Sequence, residues 1–383
     1  MGWRLASLAA WVPARTVRLA AIASALMVPV AAIASYSFAI TVDPTAVDYV
    51  YFGPGGAQIL TGAWHEVYAD PVVQAGPFEM LCYGPAYLLG VTGFWGWLIY
   101  YTVLIAVVNF GVVLAVLVIA GDAPRRRIFY VALGLAAAGL LGWFIPHAVI
   151  TGHPAQIAIP LFWAVAARLA HERQFAAVGV VIGLSAGWEV WGMLGVPVIL
   201  LAARPNLFTA AAGGLATLAL VYGPFALTGQ FRMFEFAWPV REATLVHALW
   251  PQLETFPWGL RLAQAALVLL IGGAVALLAR GSLYAPWLVP LAVVVVRLLA
   301  DPTFYGYYWL AADILVLGLV AVLCARAMWI HAAVVAVPLI VLWMYTTKGV
   351  PAAIVLLIAV IAAAVVLWAR RRKSGGLVLR DAL

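Results

Sequence analysis

Long apolar runs separated by short polar connections fill most of the chain. A helix needs about 20 apolar residues to cross the hydrocarbon core of a bilayer. Backbone that faces lipid must satisfy its own hydrogen bonds, so each run is expected to be helical. The runs are residues 19–41, 94–119, 128–145, 153–170, 174–203, 207–228, 259–279, 284–300, 307–325, 328–346 and 350–369. The pattern predicts an all-α, polytopic transmembrane helical bundle that forms a single integral membrane domain over residues 1–383.

Basic residues between the runs indicate how the bundle is oriented. Short cytoplasmic connections of membrane proteins carry an excess of Lys and Arg. Such clusters stand before the first run and after the second, fourth and last runs, at Arg4, Arg15, Arg18, residues 125–127, Arg168, Arg173 and residues 370–373. Placing them on one side predicts that both termini are cytoplasmic and that residues 370–383 form a cytoplasmic tail.

The run at 174–203 is expected to be a short helical hairpin. It has Arg173 at one end and Arg204 at the other, and a single crossing would put Arg204 and every later basic cluster outside. Two arms of about 15 residues are short for full crossings, at about 1.5 Å per residue. Counting both arms, the chain makes about 11–12 passes.

Two connections are long, at residues 42–93 and 229–258, and the orientation places both outside the cytoplasm. Loops of more than about 12–15 residues in a compact protein are usually functional or disordered. These two are rich in Trp, Tyr, Phe and Pro, so they are expected to be ordered extracytoplasmic loops. Most of the carboxylates of the chain fall on the same side.

The composition excludes several classes of protein. Hydrophobic residues make up 67% of the chain and charged residues 9%, too few to cover a soluble domain. The net charge of +7 is explained by the cytoplasmic clusters, so nucleic acid is not an expected partner. Two cysteines make no disulfide framework, and no motif has the spacing of a protein-built metal site. A divalent metal stays possible without support from the pattern.

Two carboxylates, Asp43 and Asp48, follow the first run closely. At the edge of a bilayer a carboxylate is partly dehydrated, which makes it a stronger proton acceptor. The alternative is that Asp43 or Asp48 only caps a helix in the loop, as Asp commonly does. The pattern leaves both interpretations open.

Several short motifs carry a resemblance to a known family. They are Asp48, Tyr51, Gly62 and Tyr68 followed by residues 83–85 (Tyr-Gly-Pro), and then residues 152–156, 183–189 and 297–302 with Tyr305, Tyr307 and Tyr308. In order and spacing the chain resembles the GT-C superfamily of membrane glycosyltransferases. It is most similar to the polyprenol-phosphate-mannose-dependent α-mannosyltransferases of actinobacterial envelopes. It departs from them at Glu189, where relatives often have Lys, and at Gly84, where they have Pro.

The resemblance implies a GT-C-like fold and a reaction. The expected activity is inverting transfer of a sugar, with mannose favoured, from a polyprenyl phosphate donor to an acceptor hydroxyl on the extracytoplasmic face. The catalytic carboxylate of the family maps onto Asp48, which would act as the general base. The acceptor is expected to be a glycolipid or a glycan, and the lipid bilayer is the other partner.

The leaving phosphate should be received by a cation, because negative charge develops on it in the transition state. Arg297 is the first candidate, since a charge at the end of the apolar run 293–296 is expensive unless it has a role. A pair with Asp301, one helical turn away, explains it equally well. His153 and Lys348 are further candidates, and His153 can also be read as a structural donor.

The remaining candidates are expected to contact the sugar or the acceptor, although Arg241 and its neighbours in the second loop can also belong to an ordinary amphipathic helix at the membrane interface. They are aromatic or polar residues near the outer ends of the runs and in the outer loops, namely Asp43, Tyr51, His65, Glu66, Tyr68, Tyr83, Glu189, Arg241, Tyr305 and Tyr308. Two other functions stay open: a transporter or flippase of a lipid-linked sugar, and a non-catalytic partner in envelope assembly. A transporter would favour inverted repeats and charges near the middle of the bilayer.

Overall fold

The structure is a computed structural model that describes residues 13–39, 48–121, 124–344 and 349–373. Two candidates from the sequence, Asp43 and Lys348, lie outside these residues. The predicted tail at 370–383 is described only as far as residue 373.

The first half of the described chain is helical. Two helices meet at Met27 in place of one straight first span. The first long loop, predicted at residues 42–93 and named the first outer loop after that prediction, contains three short helices. The helices are α1 (Ala14–Leu26), α2 (Val28–Ala39), α3 (Tyr49–Thr61), α4 (Pro77–Leu81), α5 (Gly84–Leu88), α6 (Gly93–Ala120), α7 (Arg125–Leu141), α8 (Phe144–Ile150), α9 (Ala155–His171) and α10 (Phe175–Ala186). A 3₁₀ helix, Val190–Leu201, follows α10.

The second half continues the helical pattern. Its helices are α11 (Leu207–Thr228), α12 (Leu245–Leu249), α13 (Trp258–Ala279), α14 (Ala285–Ala300), α15 (Leu310–Ala325), α16 (Trp329–Met344) and α17 (Val350–Lys373), with 3₁₀ turns at Met233–Glu235 and Gly306–Trp309. The strands of the described residues are β1 (Trp238–Pro239) and β2 (Thr255–Phe256), which pair antiparallel within the second outer loop. The all-α prediction is therefore confirmed.

Five of the described helical segments are long and apolar enough to cross a membrane. They are Gly93–Ala120, Leu207–Thr228, Trp258–Ala279, Gly306–Ala325 and Val350–Arg372. Two bent pairs, α1 with α2 and α7 with α8, raise this number to at most 7. The predicted spans at 153–170, 174–203 and 284–300 correspond to shorter apolar helices. The run at 174–203 is divided where α10 ends at Ala186, whereas the helices of the other two runs continue through Pro160 and Pro290.

The run at 174–203 turns back at residues 187–189, which we call the hairpin tip. Here α10 ends, and the 3₁₀ helix that follows packs closely against it, since a Cβ on Gly192 would lie 2.3 Å from the carbonyl carbon of Ser185. The hydroxyl of Ser185 also donates to the Gly192 carbonyl at 2.9 Å. The two backbones approach so closely that residue 192 has no room for a side chain.

Arginines collect at one end of the bundle, which we call the basic end: Arg127, Arg168, Arg280, Arg326 and Arg371. Arg280 donates to the Leu200 carbonyl at 2.7 Å and 2.9 Å, and Arg371 donates to the carbonyl of Arg280 at 2.8 Å. Helix α9 runs from this end, at Arg168, to His153 near its other end. Its 17 residues separate the two ends by about 25 Å.

The first outer loop is joined to the hairpin tip by backbone hydrogen bonds. The amide of Gly76 donates to the Trp188 carbonyl at 2.7 Å, and the amide of Phe78 donates to the Gly187 carbonyl at 3.0 Å. Ala75 and Glu189 face each other as an isolated antiparallel bridge. This contact fixes the start of α4 beside the tip.

The same loop packs through two glycines. A Cβ on Gly56, in α3, would lie 2.1 Å from the Met80 carbonyl oxygen and 2.8 Å from the Cα of Gly84. These are backbone atoms, which cannot move away as a flexible side chain does. Helix α3 therefore lies directly on the chain between α4 and α5.

We expect Gly56→Ala to destabilise the protein by about 1–3 kcal/mol, because the added methyl overpacks this contact. The measurement is the apparent melting temperature of the purified protein in detergent. Gly111→Ala in α6 is the matched control, since its Cβ meets nothing within 4 Å. Equal melting temperatures for both variants would contradict the packing of α3 on this loop.

Candidate functional site

Asp48 and His153 form a hydrogen-bonded pair. Nε2 of His153 lies 2.7 Å from Oδ2 of Asp48, and the side chain of Asp48 is 42% exposed, compared with 11% for His153. Asp48 precedes α3 but makes no side-chain hydrogen bond to cap it. The structure therefore does not support the capping interpretation for Asp48. The carboxylate faces outward while the imidazole holds it from inside.

The chain conformation before α9 brings the pair together. Gly152 has φ +91°, which favours glycine, and a Cβ there would lie 3.2 Å from the Cβ of Asp48. The amide of His153 donates to the Ala148 carbonyl at 2.7 Å, so the turn that follows α8 is closed. Local backbone geometry, rather than side-chain packing alone, places His153 against Asp48.

Aromatic rings surround the imidazole. Tyr307 stacks on His153 with ring centroids 3.8 Å apart and an interplanar angle of 12°, and Tyr305 stacks on Tyr307 at 5.4 Å. Phe52 meets the imidazole edge-on. This stack limits rotation of the imidazole, and Tyr305, which is part-exposed, extends it toward the surface.

Two carboxylates lie beneath the pair. Ligand atoms of Glu79, Glu189 and His153 are within 4.8 Å of one another. Glu79 is buried and accepts from the Ala155 amide at 3.4 Å, while Glu189 accepts from Nε2 of Gln156 at 3.1 Å. Burial, and then the carboxylate of Glu189, raise the pKa of Glu79 well above its usual range.

A buried arginine adjoins these acids. The guanidinium of Arg297 lies over the rings of Trp191 at 4.0 Å and Tyr308 at 4.9 Å. Burial raises the pKa of Glu189, and the positive charge of Arg297 partly offsets that rise. Its nearest contact with Asp301 is 3.9 Å, whereas Arg261 approaches the same carboxylate oxygen at 3.2 Å. Among the described residues, Nη1 of Arg297 has no hydrogen-bond partner. Asp301 is mainly the partner of Arg261, so Arg297 keeps a free donor.

Two predicted substrate contacts have their polar atoms occupied within the fold. The hydroxyl of Tyr68 donates to the Ala75 carbonyl at 3.1 Å, and the hydroxyl of Tyr83 donates to the Val149 carbonyl at 2.7 Å. Both side chains are buried. The two tyrosines therefore stabilise the first outer loop and do not face a binding surface.

Other candidates lie at the surface. His65 and Glu66 are exposed, and Glu66 accepts from Nε2 of Gln58 at 3.1 Å. Tyr51 is half-exposed on α3. Arg241 is exposed, and its amide donates to the Pro302 carbonyl at 2.8 Å, which joins the second outer loop to the chain after α14. The described contacts do not join these residues to the Asp48–His153 pair.

The site also contains residues that the sequence did not single out: Glu79, Gln156, Trp191, Arg261 and Tyr307. Gln156 and Tyr307 stand within the motifs quoted above, so their position was a usable signal. The sequence contains no signal that marks Glu79, because its burial depends on the contact between the first loop and the hairpin tip.

The cluster of Asp48, Glu79, His153, Glu189 and Arg297 combines two chemical capacities. A carboxylate that is oriented by an imidazole and still exposed can accept a proton from an incoming hydroxyl. A buried guanidinium with an unused N–H can receive an anion. Glu189 is common to both parts, because its carboxylate lies within 4.8 Å of the ligand atoms of Glu79 and His153 and its pKa, which burial raises, is lowered in turn by the charge of Arg297.

Comparison with family models, curated proteins and solved structures found no match to the chain. What the cluster does must therefore be inferred from its own residues and contacts.

Proposed function

We propose that the chain is a membrane glycosyltransferase that moves a sugar from a polyprenyl phosphate donor to an acceptor hydroxyl, with inversion at the anomeric carbon. Mannose is the favoured sugar, and a glycolipid or a glycan is the acceptor. The observation that carries the proposal is the exposed Asp48 carboxylate held at 2.7 Å by His153, with the buried Arg297 in the same cluster. The motifs that resemble the GT-C superfamily support the same reaction.

Asp48 acts as the general base. The acceptor oxygen attacks the anomeric carbon, and its proton moves to the carboxylate of Asp48. The bond between the anomeric carbon and the phosphate oxygen breaks on the opposite face, and its electron pair stays with the phosphate. His153 binds Oδ2 and so orients the carboxylate, which makes it a positioning residue.

Arg297 receives the leaving phosphate. A guanidinium presents N–H groups in a fixed fork that matches phosphate oxygens. Its stacking on Trp191 and Tyr308 holds the group in place, so little reorganisation is needed when charge develops. This role and the weaker contact with Asp301 are compatible, because Asp301 retains Arg261.

The site is extracytoplasmic in this proposal. Short cytoplasmic connections favour Lys and Arg, which assigns the basic end to the cytoplasm and the Asp48 cluster to the opposite face. The clustering of charge near one end also favours an enzyme over a flippase, which is expected to carry charged groups near the middle of the bilayer.

We expect Asp48→Asn to lower transfer from polyprenyl phosphate mannose to membrane lipid acceptors by about 10²–10⁴-fold, because the amide cannot accept the proton. The measurement is radiolabelled product formed by the purified protein in proteoliposomes. Glu254→Gln, an exposed carboxylate of the second outer loop, is the matched control and should keep the native rate. Native transfer by Asp48→Asn would remove the base from the mechanism. Movement of the donor across the vesicles without product would favour the flippase.

Arg297→Gln should lower the same rate by about 10²–10³-fold, because the leaving phosphate loses its cation. Arg297→Lys should recover only part of the loss, since an ammonium restores the charge but not the fork. Arg232→Gln, which removes an exposed ion pair with Glu235, serves as control. If the Gln variant is as active as the native protein, Arg297 only stabilises the fold.

The orientation is tested by single cysteines in a background in which Cys82 and Cys324 are replaced by Ala. Val72→Cys lies in the first outer loop and is half-exposed, while Arg125→Cys is exposed at the start of α7. A membrane-impermeant maleimide added to intact cells should label the first variant, and the second only after permeabilisation. The reverse order would place the Asp48 cluster in the cytoplasm.

A further inference from the structure

The acids of the site outnumber the cations that face them. The carboxylates are those of Asp48, Glu79, Glu189 and Asp301, and the guanidinium groups are those of Arg261 and Arg297. If all four carboxylates are ionised and the imidazole carries no charge, this set has two uncompensated negative charges, and a proton on Glu79 or a bound cation reduces that number. Buried carboxylates in mutual contact are expensive unless a proton or a cation lies between them.

An unpaired acceptor in the same place points to a cation. Gln156 is buried, its amide nitrogen donates to Oε1 of Glu189, and its amide oxygen has no hydrogen-bond partner in the part of the chain that the structure describes. The unpaired oxygen belongs to the same amide group as the nitrogen that contacts Glu189. An amide oxygen is a hydrogen-bond acceptor and cannot bind an anion, but it can ligate a metal ion.

We infer that Glu79, His153, Glu189 and the amide oxygen of Gln156 bind one divalent transition-metal ion. The three titratable ligand atoms are within 4.8 Å of one another. Bonds of about 2.0–2.2 Å to a common ion need only small side-chain movements from there. A set of one imidazole nitrogen and carboxylate and amide oxygens suits Mn²⁺ or Zn²⁺ better than Ca²⁺, which prefers oxygen ligands alone.

Asp48 supports the site from outside. A histidine that binds a metal usually gives its second ring N–H to a carboxylate, which fixes its tautomer and orientation. An imidazole that binds through Nδ1 keeps its Nε2 proton on Asp48, where the 2.7 Å contact already exists. The stack on Tyr307 holds the same ring. The ion would then lie directly behind the exposed Asp48–His153 pair.

The ion accounts for features that glycosyl transfer alone leaves unexplained. Asp48 and Arg297 suffice for the proposed reaction, and neither Glu79 nor Gln156 has a part in it. Both are nevertheless buried side by side with Glu189. Metal binding can therefore be tested independently of the transferase activity, and the test needs no sugar donor.

The test is a titration of the full chain, purified in detergent and freed of metal with a chelator, with MnCl₂. The EPR signal of free Mn²⁺ should show one bound ion per chain, and pulsed EPR should show coupling to one imidazole nitrogen. Glu79→Gln and Glu189→Gln should each weaken binding by at least about tenfold, and His153→Gln should remove the nitrogen coupling. Glu254→Gln is the matched control and should bind like the native protein.

Size-exclusion profiles and apparent melting temperatures show whether each variant is folded. The native protein alone can overturn the inference, by failing to bind Mn²⁺ or by binding it without nitrogen coupling. Binding that is unchanged in folded Glu79→Gln and Glu189→Gln would place the ion elsewhere and would overturn it as well.

Discussion

Charge in this molecule is restricted to places where the chain can neutralise it. The helices between the two ends are apolar, and hydrocarbon cannot solvate an ion, so charged residues concentrate at the ends of helices. At the basic end, arginines donate to helix C-terminal carbonyls, as Arg280 does to Leu200. At the other end, acids, an imidazole and an arginine are gathered in one cluster around Glu189. Each group there depends on its neighbours for compensation.

The cluster exists because four separate parts of the chain meet. The first outer loop supplies Asp48 and Glu79, the turn before α9 supplies His153, the hairpin tip supplies Glu189, and α14 supplies Arg297. Backbone hydrogen bonds between residues 76–78 and 187–188 hold the loop on the tip. These bonds are directional and do not depend on side-chain identity, so they set the geometry that the side chains use.

The sequence predicted the all-α class well, because long apolar runs directly indicate helices that lie in hydrocarbon. It overestimated how many runs cross as single long helices: five described segments are long enough, while the runs at 153–170 and 284–300 form helices of 17 and 16 residues. Asp48 and His153 stood out in the motifs that resemble the GT-C superfamily, and Arg297 stood out because it ends an apolar run. Their partners did not: the burial of Glu79 and the stacking of Tyr307 on His153 arise from contacts between residues more than 70 positions apart.

In the proposed mechanism, the exposed carboxylate of Asp48 and the buried guanidinium of Arg297, at the same end of the bundle, act on a lipid-linked phosphate sugar. A cryo-EM map of the protein with bound polyprenyl phosphate tests this most directly. We expect the phosphate within hydrogen-bonding distance of Arg297, the prenyl chain extending toward lipid, and Asp48 facing the space beside the phosphate. A phosphate bound instead at the basic end, among Arg168, Arg280 and Arg326, would contradict it.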